Sequence, residues 1–118
     1  MKYLLLIYSP EDSWAEDERA KCMADSVQYC HELAAAGKYI AASPLQSVAT
    51  ATSVRVRVGK RLVTDGPFAE TVEQLGGYFL VEAANLDEAI DIAARIPSGP
   101  KSTIEIRPIV ELDTLPKT

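Results

Sequence analysis

The stretch that most limits what this chain can fold into is its first, KYLLLIY, from Lys2 to Tyr8. In an extended chain Tyr3, Leu5 and Ile7 point one way and Leu4, Leu6 and Tyr8 the other, so both faces are apolar. A strand of that kind is stable only when covered on both sides, which places it inside a sheet rather than at its surface. One layer of helices can cover one face. The second face needs another partner.

The later segments supply the rest of the sheet and its helices. Residues 15 to 36 have helical periodicity, with Ala20, Met23, Val27, Cys30 and Ala34 on one stripe and Gly37 as the stop. Residues 39 to 46 read as a second strand, weakened by Pro44. VRVRVGKRLV alternates on both sides of Gly59-Lys60, which predicts a hairpin with glycine first in a two-residue turn. Gly76-Gly77 leads into YFLVEA, a further strand. NLDEAIDIAARIP is a second helix, capped by Asn85, with Glu88 at the capping-box position and Pro97 beyond its end. STIEIRPIVEL closes the chain as a strand. Val27 and Ile90 are the residues expected to pack on the sheet from the two helices.

With the hairpin set aside as an insertion, the order is β-α-β-β-α-β, the ferredoxin-like arrangement of the α+β class, with an antiparallel sheet and both helices on one face. One domain covers residues 1–118. In the last strand Ile104 and Ile106 share a face while Glu105 and Arg107 share the other; in YFLVEA, Phe79 and Val81 alternate with Tyr78, Leu80 and Glu82. The second sheet face is therefore apolar with a few charges and a tyrosine. A second copy of the chain is the simplest cover for it, giving a homodimer with sheets face to face.

Composition narrows the function. With Lys plus Arg at 12 and Asp plus Glu at 17, the net charge is -5, a poor match for nucleic acid or an anionic membrane. The apolar start is too short for a signal segment or a membrane span, so a cytoplasmic protein is expected. Cys22 and Cys30 lie eight residues apart in one predicted helix. That is about 12 Å along the axis, too far for a disulfide between them. One histidine and no Cys-x-x-Cys do not make a zinc site, and no cofactor is expected.

The chemistry concentrates in LVTDGPFAET, Leu62 to Thr71. Proline bars helical backbone at Gly66, Pro67 fixes its own φ, and Phe68 can anchor the turn in apolar surroundings. Asp65 ends a strand, with Glu70 and Glu73 close behind. Two readings stand: Asp65 accepts backbone N–H groups of the turn, or it faces a ligand and moves a proton. The second reading makes Asp65 the catalytic candidate. Gly66, Pro67, Phe68, Glu70, Tyr78 and Arg107 then border the ligand.

VTDGPFAET, EQLGGYFLVEA, the LDEAI helix and the closing IEIRP together resemble the YCII-related proteins, specifically their DGPF branch. The resemblance runs from KYLLLIY to EIRPI and implies a dimeric α+β barrel of bacterial origin. It also implies a cleft at the dimer interface, lyase- or isomerase-like chemistry in some relatives, and a link to sigma factors of the extracytoplasmic-function class. Two positions depart from the pattern. The family's Thr-Lys-Glu is Thr71-Val72-Glu73 here, and the helix histidine of YCII relatives maps near Ser26 rather than to His31. Three readings remain: a cofactor-free acid–base enzyme acting on a small molecule, a non-catalytic ligand-binding or regulatory module, and a structural dimer.

Overall fold

Strand β1, Lys2–Ser9, lies inside a four-stranded antiparallel sheet, hydrogen-bonded on one edge to β5, Gln74–Glu82, and on the other to β6, Thr103–Pro108. A computed structural model describes residues 1–117. The outer strand beside β5 is β2, Tyr39–Pro44, so the sheet order is β2-β5-β1-β6. Helices α1, Glu16–Ala35, and α2, Leu86–Ala94, complete the β-α-β-β-α-β frame. Strands β3, Thr52–Arg57, and β4, Lys60–Asp65, form a separate two-stranded sheet inserted between β2 and β5. Pro44 is tolerated because it ends an edge strand, where a missing donor breaks no central ladder.

The alternation in the strands decides what is buried. Leu5 pairs with Phe79 on one side and Ile106 on the other, and Tyr3 pairs with Val81. These side chains share the helix-covered face, where Leu5 and Val81 are fully enclosed. Ala89, Ile92, Ala93 and Ile96 close over them from α2 and the turn after it. Leu4, Leu6, Tyr78 and Leu80 occupy the opposite face and are only half-buried, as the two-faced pattern requires.

Both helices sit in a different rotation from the one expected. Val27 is 59% exposed and Ile90 47%, whereas Tyr29 and Leu33 are the buried residues of α1. The inward stripe of α1 is thus shifted by about one residue, or about 100°. The cause is side-chain size. Alanines make the helix weakly amphipathic, and the two large residues Tyr29 and Leu33 set its rotation. In α2, Ala89 and Ile92–Ala93 face the sheet and Ile90 turns outward.

Local chemistry sets the ends. Gly37, at φ 74°, lets α1 stop in a Schellman motif: Lys38 N–H donates to Leu33 O at 2.8 Å and Gly37 N–H to Ala34 O at 3.0 Å. The Asn85 side chain accepts from Glu88 N–H at 3.0 Å and caps α2. Glu88 does not return the bond to Asn85. Its carboxylate accepts instead from Lys38 Nζ at 2.7 Å and from Ala84 N–H at 3.0 Å, and those two bonds, in that order, hold its carboxyl below the ordinary carboxylate range.

The hairpin turn falls one residue earlier than expected. Arg57 pairs with Lys60, and Val58 and Gly59 take φ of 50° and 73°. Positive φ at both central positions is the mark of a type I′ turn, whose twist matches that of the strands it joins. Val54 then stands opposite Val63 with Val56 on the same face, while Arg55, Arg57 and Lys60 share the other. All of these side chains are exposed. The radius of gyration, 16.1 Å, exceeds the about 13.5 Å of a compact domain this long because the hairpin projects as an arm. The last strand is also shorter than expected, ending at Pro108. No helix among the described residues is long and apolar enough to cross a membrane.

Leu5→Ala should cost about 2–5 kcal/mol through the cavity it leaves, and Val27→Ala less than about 1 kcal/mol. Urea melts of the two variants check the rotation of α1. A Val27 cost equal to that of Leu5 would contradict it.

Candidate functional site

The helix α1 does not fill the space it covers. Its positions Cys22, Ser26, Cys30 and Ala34 recur every four residues along one side, and all are small. Beneath them the sheet is small too, at Ala42, Gly76 and Gly77. The two surfaces cannot interlock, and a cleft of about 550 Å³ remains between them, floored by Ile7 and Phe79. That volume suits a small organic molecule. Gly77 is what lets β2 and β5 approach here. A Cβ on it would lie 3.0 Å from Ser43 O and 3.3 Å from Pro44 Cα, whereas one on Gly76 would meet only Ile7 O at 3.8 Å.

Polar groups stand at the two ends of the cleft. At one end Trp14 Nε1 donates to Ser9 Oγ at 3.1 Å, and Lys101 Nζ sits 5.2 Å from the centre of the Trp14 ring. Lys101 also pairs with Glu18 at 2.9 Å, which, with Ala15 N–H, holds the Glu18 carboxyl below its ordinary range. Arg19 lines this end, its guanidinium donating to Glu11 O at 3.0 Å. His31 and Tyr39 line the other. Arg19 and His31 are twelve residues apart on one helix, about 18 Å along its axis, so they cannot grip the same small group. Between them Ser26 Oγ lies 4.0 Å from Cys22 Sγ. Burial pushes the Cys30 thiol up, which keeps it protonated and a poor nucleophile. Cys22 and Cys30 are both free.

The residues nominated by the DGPF stretch stand elsewhere; none of them lines this cleft. Asp65 ends β4 opposite Thr52 and is exposed. Its carboxylate accepts no hydrogen bond among the described residues. The turn is held by other groups: Ser53 Oγ donates to Gly66 O at 2.8 Å and Gly66 N–H to Ala51 O at 2.7 Å. Gly66 is at φ 103°, a conformation that favours glycine. Phe68 is 76% exposed with the Arg55 guanidinium 5.1 Å from its ring centre, so its local partner is a cation. Pro67 and Glu70 are exposed. Tyr78 and Arg107 do share one surface, the sheet face away from the helices, where Arg107 pairs with Glu105 at 3.1 Å.

Residues 1–113 match the model of the YCII-related domain. The chain belongs to the YCII-related family. An uncharacterized protein of Rhizobium meliloti (strain 1021) is 36% identical over 114 residues, covering 92% of each chain. Among solved structures, the fold is similar to that of 5-chloro-2-hydroxyhydroquinone dehydrochlorinase (TftG) from Burkholderia phenoliruptrix AC1100, in complex with 2,5-dihydroxybenzoquinone. The TM-score is 0.59 over 93% of this chain and 94% of that one, at 15% identity. The likeness establishes a shared fold of the ferredoxin-like α+β class. Ser26 and His31 both line the cleft. No motif in the sequence marks Trp14 or Arg19 as lining a site. The usable signal was the four-residue spacing of small side chains along α1.

Gly77→Ala should cost about 1–3 kcal/mol, because backbone rather than a movable side chain blocks the new methyl. Gly76→Ala should stay within about 1 kcal/mol of the parent by the same urea melts. Equal costs would show that β2 and β5 do not meet as described.

Proposed function

We propose that this YCII-related protein binds a small, largely apolar molecule in the cleft beneath α1 and moves a proton on it without a cofactor, as a lyase or isomerase does. The observation that carries the reading is the cleft itself. It is a hollow of about 550 Å³ with apolar walls and titratable or polar groups at its ends. His31 is the lining side chain suited to proton transfer, and Ser26 can hold a hydroxylated ligand between the ends. The solved complex of the structurally similar dehydrochlorinase with a dihydroxybenzoquinone supports a ring-sized ligand. A ligand-binding regulatory module, linked to an extracytoplasmic-function sigma factor, would use the same cleft without turnover.

Mass spectrometry of the purified, denatured protein should recover a small molecule in stoichiometric amount. Incubation of the apo-protein with that molecule then separates the two readings by whether it is converted. Recovery of nothing from fresh preparations, together with no binding from a panel of hydroxylated aromatics, would remove both.

Assembly belongs to the same reading. Two copies pack through the half-buried face of Leu4, Leu6, Tyr78 and Leu80, and the exposed valines of the hairpin arm join that interface. The buried area should exceed about 1,000 Å² in total. A sedimentation mass of one chain at micromolar concentration would contradict it. In this assembly a second pocket forms between the sheets, on the face opposite the cleft, where the arm carries Asp65 with Gly66, Pro67, Phe68 and Glu70 towards Tyr78 and Arg107 of the facing sheet. Asp65→Asn should then leave the melting curve within about 0.5 kcal/mol, since no bond of the turn uses the carboxylate, and weaken ligand binding or turnover. Unchanged binding in that variant would return the acid to the solvent and leave proton transfer to His31.

A further inference from the structure

The charges around the cleft are one-sided. Among the described residues no aspartate or glutamate lines it, and Arg19 is its one permanently charged side chain. Arg19 forms no ion pair among the described residues. Two acids that bracket this end of the helix, Glu11 and Glu18, have other partners. The Glu11 carboxylate accepts from Ser47 Oγ at 2.7 Å and Val48 N–H at 2.9 Å, and Glu18 is taken by Lys101. One guanidinium N–H is used on the Glu11 carbonyl, which leaves further donors of the fork free. Trp14 lies at the same end of the cleft, its indole N–H already spent on Ser9, so that it offers a flat apolar surface.

An unpaired guanidinium at the end of an apolar cleft without carboxylates is matched by an anion attached to a ring. We infer that the cleft selects flat aromatic or quinoid anions, such as an aromatic carboxylate or an ionised hydroxyquinone, and that Arg19 determines this preference by binding the anionic group. The inference rests on the proposed reading of the cleft as a small-molecule site and adds the charge class of the ligand. It also assigns the two ends different work: Arg19 holds the anion, and the ring extends under Ser26 towards the end that carries His31. A bidentate charge-assisted contact in a partly enclosed site discriminates strongly against a neutral isostere.

The chain has one tryptophan, and it lines the cleft, so its fluorescence reports occupancy directly. Titration with 2-naphthoate and 2-naphthamide, equal in shape and different in charge, should show the acid binding about tenfold or more tighter. Arg19→Gln should weaken the acid about tenfold and change the amide less than about twofold, removing the preference, and Arg19→Lys should restore part of it. Thermal melts of both variants confirm that the exposed site leaves the fold intact. Equal binding of acid and amide to the parent, or a preference that survives in Arg19→Gln, overturns the inference while leaving the cleft a binding site. If neither compound, nor neutral hydroquinone, perturbs Trp14 at millimolar concentration, the small-molecule reading falls and this inference with it.

Discussion

The seat of Tyr29 on the sheet is the contact on which the site depends. Its hydroxyl donates to Ile92 O at 2.7 Å, and its ring packs on Phe79 with 6.1 Å between centres. Burial raises the hydroxyl's pKa above its ordinary value, so it stays a donor at neutral pH. One side chain thus ties α1 to α2 and to β5. With Leu33 a turn later, it sets the height and rotation of α1 over the sheet. The remaining inward positions are then too small to reach the strands. The cleft is what remains when one large residue sets the spacing and Cys22, Ser26 and Cys30 have to live with it.

A second constraint is the two-faced β1. Its helix-side residues Tyr3 and Leu5 are buried by α2 and Tyr29, which supplies most of the chain's internal apolar contact. The other face keeps Leu4 and Leu6 half-buried beside Leu80, framed by the Glu105–Arg107 pair. The hairpin arm is two-faced as well, with Val54, Val56 and Val63 beside Arg61 on one side and Arg55, Arg57 and Lys60 beside Leu62 on the other. Apolar surface of this extent is costly to leave in water, at roughly 25 cal/mol for each Å². The fold therefore carries two kinds of incompleteness. One is a hollow of about 550 Å³ beneath α1, and the other is an apolar sheet face left only half-buried.

The class of the fold is written in local pattern. Period-two alternation in the strands and glycine, asparagine and proline at helix ends depend on neighbours a few residues away, so they can be read locally. That is why the β-α-β-β-α-β order, the sharing of one face by Tyr3 and Leu5 and by Phe79 and Val81, the Gly37 stop and the Asn85 cap were legible. The DGPF stretch was legible as a motif for the same reason. Packing across the fold sets where α1 points, because a helix rich in alanine has several nearly equivalent stripes, and the choice falls to whichever large residue finds a pocket. It moved the inward face from Val27 to Tyr29, placed Phe68 under Arg55 rather than in a core, and brought Trp14 and Arg19, from a polar connection and a helix start, to the mouth of a cleft. A cavity is a difference between two surfaces distant in sequence, so the spacing of small side chains along α1 marks only one of its walls.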